Sequence, residues 1–427
     1  MSLLAACGVA LSIAAGTSAD AHRWTAFRGT DGSGHSAAAG LPIRWSETGN
    51  VRWKTPIHGR GWSSPIVWGD QVWLTTATED GRKMYGIGVD RETGRIVHDL
   101  LLFENAEPDY CHPTNSYASP TPAIEEGRVY LHFGTYGTAC VDTASGQVVW
   151  TRRDLNCDHF RGPGSSPILH RDLLILQFDG FDHQFIAALD KRSGETVWLR
   201  ERDIDYGTDN GDYKKAYATP LVIEHAGREQ LISPAAVATI AYDPQTGDEL
   251  WRIQPGGMNA AARPLYANGL VYIAAGDGNY RLLAVRPDGT GDVTDTHIVW
   301  KTSQSVPRRS TPLVLGDLLF MMEDGGVASC LEAKTGRGVW RERLDGAYWA
   351  SPVAAEGRVY FFSQEGRTPV IEAGREFRLL ADNRLDAGLN ATPAIAGQAI
   401  YLRTFTHLYR IEDHAAAAAD SRAAPGN

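Results

Sequence analysis

Apolar residues in this chain gather in short runs of strand length, and no stretch keeps the 3.6-residue spacing of a long amphipathic helix. The segment from Ser166 to Trp198, "SPILHRDLLILQFDGFDHQFIAALDKRSGETVW", holds the pattern in full. Ser-Pro opens a first strand, and His170-Arg171-Asp172 turns the chain. Leu173 to Phe178 is an apolar second strand. Asp179-Gly180 turns again, because glycine accepts positive φ at no steric cost. Phe185 to Leu189 is a third strand. Asp190, Ser193 and Gly194 turn once more, and Thr196 to Trp198 begin a fourth.

This four-strand unit recurs. Ser-Pro or Thr-Pro before an apolar residue stands at Ser64, Thr121, Ser166, Thr219, Thr311, Ser351 and Thr392, and Arg263-Pro264 fills the gap in the series. Those starts lie roughly 40 to 57 residues apart, the range of four-stranded propeller blades. A second mark, Thr/Ser-Gly-x-x-x-Trp, closes units at Trp150, Trp198, Trp251 and Trp340. His98 replaces the Trp in one copy, Gly289 to His297 lengthen the turn before Trp300, and the copy at Gly374 and Arg378 is degenerate. At the start, Thr48-Gly49-x-x-x-Trp53 is a closing strand with no blade before it. At the end, Thr392 to Ile411 has three strands and no closing mark. The pattern therefore predicts an all-β fold: an eight-bladed β-propeller of four-stranded antiparallel blades, with the N-terminal strand completing the C-terminal blade. Such a ring leaves no open edge between first and last blades.

Length alone suggests two or three domains for 427 residues, but the repeat overrides that prior and gives one, over 22–412. The 45 Gly, 12 Trp and 16 Tyr suit many strands and turns. Leu3 to Ala15 is apolar, and Ala19-Asp20-Ala21 offers a small-x-small cleavage site. Residues 1–21 thus resemble a signal peptide without its basic start, and export to the periplasm or outside the cell is expected. Leu4-Ala5-Ala6-Cys7 fits a lipobox less well, since its apolar segment follows the cysteine. No other stretch is long and apolar enough for a membrane span. The tail 413–427 is low-complexity and expected to be disordered.

A net charge of −10 with no basic block argues against nucleic-acid binding. The five cysteines include no CxxC. Cys140 and Cys330 sit at third-strand positions suited to buried thiols. Cys111 and Cys157, in loops one blade apart, could bridge in an oxidising compartment.

In this strand order, the loops leading into each blade and those between second and third strands share one face. The stereotyped Thr-Gly turns lie on the other. The longer, more varied loops are where binding residues concentrate. The candidates there are His112, Asn115, Tyr117, Asp158, His159, Arg161, Asp179, Asp182, His183, Asp209, Asp212, Arg308, Arg309, Trp349, Asn390 and Arg403. Carboxylates, imidazoles, amides, guanidinia and aromatics around one axis compose a polar-ligand or sugar site. Plainer roles compete: Asp179, Asp277 and Asp324 precede glycines as turn residues do, His98 occupies a packing position, and His132 alternates within a strand. Asp205, Asp209 and Asp212 form a loose carboxylate ladder without the spacing of a calcium loop, so no metal site is assigned. No phosphate loop or nucleophile elbow is found.

The marks "SSPIL…ALDKRSGETVW" and "TPLV…AYDPQTGDELW" resemble the repeat of pyrroloquinoline-quinone (PQQ)-type propellers over roughly His22 to Glu412. The chain is similar to the secreted bacterial PQQ-binding-like β-propeller repeat proteins. His112, Asn115 and Pro120-Thr121-Pro122 match their pattern, and "YLRTFTHLYRI", with Arg403 and His407, matches their closing blade. Two better-known branches share the repeat. The quinoprotein alcohol and glucose dehydrogenases clamp their quinone with a vicinal Cys-Cys disulfide, and no two cysteines are adjacent here. The propeller lipoprotein of the outer-membrane assembly machinery binds a partner protein. The resemblance therefore implies the fold and leaves function to the site. The leading expectation is an exported, monomeric scaffold that binds a protein or carbohydrate through the loop-rich face, with no cofactor. A carbohydrate lyase or hydrolase, with His112, His159 or His183 as base and Tyr117 or Tyr213 as acid, is the first alternative. A dehydrogenase using PQQ and calcium is the second.

Overall fold

The computed structural model describes residues 20–413. All but the last two residues of the expected leader, with Cys7, and the tail beyond Asp413 lie outside them. The described residues form eight small sheets in which every consecutive strand pair is antiparallel. In the first blade the strands are Ile66–Trp68, Gln71–Ala77, Lys83–Asp90 and Ile96–Glu104. The innermost strand is short and buried. The outermost alternates half-buried with exposed residues, as a strand with one wet face must.

The ring closes as the chain ends predict. Val51–Pro56 pairs antiparallel with His407–Glu412, Val51 opposite Ile411 and Pro56 opposite His407, and completes the last blade. One blade departs from four strands. The insertion at Gly289 to His297 folds back on the preceding blade, where Gly291–Asp292 pairs in parallel with Glu249–Ile253 as a fifth strand. Val293 anchors it, buried in the cluster that holds Trp251.

The closing tryptophans join neighbouring blades. The Trp198 ring lies against Gly247 of the next blade, and its Nε1 donates to the Pro244 carbonyl at 3.2 Å. Gly247 has φ +73°, and a Cβ there would sit 2.7 Å from the indole, so the position needs glycine twice over. The same bond recurs from Trp53 to Arg91, Trp150 to Lys191, Trp300 to Ala333 and Trp340 to Gly374. His98 keeps the role, with Nε2 3.0 Å from the Thr143 carbonyl and its ring stacked on Trp73. Trp251 faces the lengthened turn and reaches it through Gln230, which accepts from the indole and donates to the Pro287 carbonyl.

An irregular arm runs from Trp24 to Leu41 ahead of the first strand. Near His22 it starts among the Thr-Gly turns, where Arg91 donates to the His22 carbonyl. It then pairs Trp24 with Val67, bonds Thr25 to Ile124 and enters the axis. Arg28, fully buried, donates to the carbonyls of Ser33, Pro312 and Pro352. Arg263 donates to the Phe27 carbonyl at 2.6 Å. The arm leaves past Ala354 and Ile395. It thereby touches six blades and plugs the axial channel from the Thr-Gly side.

Candidate functional site

The Ser/Thr-Pro positions build the site's base. Each hydroxyl accepts from a backbone N–H of the preceding blade: Ser64 to Thr121 (2.9 Å), Thr121 to Ser166 (2.9 Å) and Ser166 to Thr219 (3.0 Å). The series resumes from Arg263 to Thr311 (2.9 Å), then Thr311 to Ser351 (2.9 Å), Ser351 to Thr392 (3.0 Å) and Thr392 to Ser64 (3.1 Å). Seven links run in one direction round the axis. The break falls at Arg263, the one repeat start without a hydroxyl.

Above this ring opens a cavity of about 230 Å³. Phe27 of the arm lines it, with Ser64, Thr121, Ser166, Thr219, Ser351 and Thr392 from the ring. The lead-in loops supply Trp62, Asn115, Arg161, Tyr217, Asn259, Arg308, Arg309, Trp349 and Asn390. Three guanidinia face one lining carboxylate, Asp277, which accepts from Asn259 at 3.2 Å. Arg309 lies over Trp349 at 4.1 Å and pairs with Asp324. Arg308 lies over Tyr280 at 4.4 Å and has no carboxylate partner among the described residues. Arg161 is 3.8 Å from Asp212. The hydrogen-bonded Lys215 ammonium holds the Asp212 carboxyl below the ordinary range.

More positive charge lies under the floor. Burial lowers Arg28 to about 9 and Arg263 to about 10, so both stay charged at neutral pH. Their hydrogen-bond partners are carbonyls, and one nearby carboxylate, Asp31, offsets part of the charge of the two guanidinia. In a chain of net charge −10, the axis is locally cationic.

Of the sixteen predicted residues, Asn115, Arg161, Arg308, Arg309, Trp349 and Asn390 line this cavity. His112 and Tyr117 line a smaller hollow of about 60 Å³ beside it, together with Asn115. The other eight do not line it. His159 is buried, and its Nε2 accepts from the Thr135 N–H at 3.1 Å. Burial lowers His159 to about 4, so its imidazole is neutral. His183 pairs with Glu201 at 2.9 Å on the periphery. Asp179 is locked by two 2.8 Å bonds to Arg202, both side chains buried. Burial holds the Asp179 carboxyl above its ordinary range, with the guanidinium pulling against it. Asp182 accepts from the Asp158 N–H and so ties two loops together, and Asp158 accepts from the Phe160 N–H as a turn residue does. Asp209 is exposed, and Asp212 sits behind Arg161. Arg403 is buried against Ser63 and the Thr75 carbonyl, tying the last blade to the first.

The Cys111–Cys157 bridge considered from sequence is not formed; both thiols are free, with Cys157 held beside His159. The Asp205, Asp209 and Asp212 ladder does not gather, and no group of three or more His, Cys, Asp or Glu among the described residues is placed to hold a metal. The cavity lining contains no cysteine and one carboxylate, a donor set that does not fit the disulfide clamp of the quinoprotein dehydrogenases. Sequence reasoning missed Phe27, Trp62, Tyr217, Asn259 and the hydroxyl ring. The ring was in view throughout, as the periodic Ser/Thr-Pro that marks each blade.

A closed ring of eight PQQ-type repeats, with its varied loops on one face, defines the class of protein. The family model described as outer membrane protein assembly factor BamB matches residues 35–152, 104–225 and 182–420, and the chain belongs to that family. It is 23% identical over 249 residues to outer membrane protein assembly factor BamB of Shewanella oneidensis, covering 53% of this chain and 57% of that protein. To the BamB of Yersinia pestis it is 22% identical over 259 residues, covering 57% and 59%. The chain thus spans less than two thirds of the length of these curated relatives. Among solved structures, BamB from Moraxella catarrhalis superposes with a TM-score of 0.52 at 18% identity, over 74% of this chain and 84% of that one. A europium-containing methanol dehydrogenase superposes with a TM-score of 0.63 at 11% identity, over 90% of each. At such identities the likeness is one of fold.

Proposed function

We propose that this protein is an exported binding scaffold whose loop-rich face takes up its ligand at the axial mouth. The observation that carries this reading is the convergence of lead-in loops from successive blades on one polar, aromatic-walled cavity, closed beneath by the chain's own arm. Rigid rings that present loops in this way suit recognition. The family's description, an assembly factor of outer-membrane proteins, supports export and a binding role. No helix among the described residues is long and apolar enough to cross a membrane. The imidazoles of His159 and His183 do not line the cavity, which weighs against these two as the base of a lyase or hydrolase, while the third candidate, His112, lines the smaller hollow beside it.

Ala261 stands half-buried in the cavity wall, and Ala261→Trp fills the mouth. Purified protein tested on small-molecule and glycan arrays should retain its ligand unchanged, and Ala261→Trp should abolish retention while leaving the fold intact by circular dichroism. Release of a chemically altered ligand would make the protein an enzyme; retention that ignores Ala261→Trp would move the site elsewhere.

A further inference from the structure

We propose that the axial cavity is a carboxylate site, and that its ligand is an acidic sugar, free or at the end of a chain. The inference deepens the binding reading above and rests on it.

The hydroxyl ring supplies the first argument. Six of its members line the cavity, and each is at most 3% exposed. Each hydroxyl oxygen already accepts from a backbone N–H, and no acceptor for its proton exists among the described residues. Buried hydroxyls seek an acceptor. Here the space they border is the cavity, so they form a circle of donors without a recipient.

Charge supplies the second argument. Arg308 carries no carboxylate partner among the described residues, and Arg309 and Arg161 share theirs with the loop scaffold. Arg28 and Arg263, offset in part by Asp31, add cationic field from below. A guanidinium matches a carboxylate in geometry and binds it more strongly than a neutral acceptor. The cavity is thus rich in donors and cations, with Asp277 as its one anionic wall.

The remaining features select a sugar acid over a bare anion. Asn259 is 9% exposed, lines the cavity and has an Oδ1 with no partner among the described residues, an acceptor suited to a ligand hydroxyl. Trp62, Trp349 and Tyr217 give apolar walls for ring carbons. A polyhydroxylated ring bearing one carboxylate answers all three sets of groups.

Titration calorimetry on the full chain, with galacturonate and its dimer, glucose, citrate and pyrroloquinoline quinone as probes, tests the proposal. The uronates should bind, roughly ten-fold tighter than glucose, and weaken as salt is raised. Arg308→Ala with Arg309→Ala, both exposed positions, should weaken uronate by about ten-fold or more and so erase its advantage over glucose. Equal binding of uronate and glucose would sink the carboxylate assignment while leaving the cavity as a binding site. Binding of citrate or the quinone alone would keep a carboxylate site and overturn the sugar. Silence from every probe, with array ligands still blocked by Ala261→Trp, would overturn this proposal but spare the scaffold reading. Array binding insensitive to Ala261→Trp would overturn both.

Discussion

Loop position predicts which face a residue belongs to, and depth decides what it does there. Arg308 and Arg309 are exposed on the lead-in loop of the sixth blade and reach the cavity. Asp179 and His159, on the same face by sequence, turn inward and are consumed by the frame. Asp179→Ala strands the buried Arg202 guanidinium and should cost about 3–5 kcal/mol in urea unfolding, whereas replacing both partners by apolar residues of similar volume should cost much less. Acid provides a second test. Burial lowers His132 to about 3 and His159 to about 4, below the usual 6.5. Between pH 6.5 and 4 the unfolded chain therefore binds protons that the folded chain refuses, and stability falls as pH falls. Each imidazole contributes on the order of 3 kcal/mol of that loss by pH 4. His132→Gln with His159→Gln should flatten the decline in a pH series of melting curves. Depth of this kind was not legible in the sequence, because a turn aspartate and a ligand aspartate carry the same neighbours in the chain. The Arg pair was legible, since no short-range motif claims it.

Among the elements, the blade was the most readable unit. Glycine and tryptophan four residues apart encode a contact between neighbours, and the indole-to-carbonyl bond that recurs at five tryptophans is its physical content. Trp198→Ala removes a buried ring and that bond. It should lower stability by about 3–5 kcal/mol. His98→Ala, at the half-buried variant position, should cost less than half as much in the same assay. The insertion before Trp300 read as a longer turn, and its fifth strand was hidden because only two residues pair. The arm's passage into the axis was hidden because Arg28 satisfies itself on carbonyls that no sequence pattern announces. Deleting 22–41 leaves Val51–Pro56 in place, so the strand content by circular dichroism should persist. The melting temperature should drop, and Phe27 no longer closes the cavity, so ligand retention should fail.

The whole molecule was legible from its two ends: an orphan closing strand and an unfinished last blade imply one ring. The cationic axis was not, because its arginines lie far apart in the chain, at Arg28, Arg161, Arg263, Arg308 and Arg309, and only circular closure gathers them. The same closure orders events during synthesis. Among the described strands, Val51–Pro56 leaves the ribosome first and its partner His407–Glu412 last. An unmatched ribbon must wait out the manufacture of seven complete sheets, exposed to any foreign strand that offers a match. A cell making this protein has reason to shield that ribbon until its partner emerges.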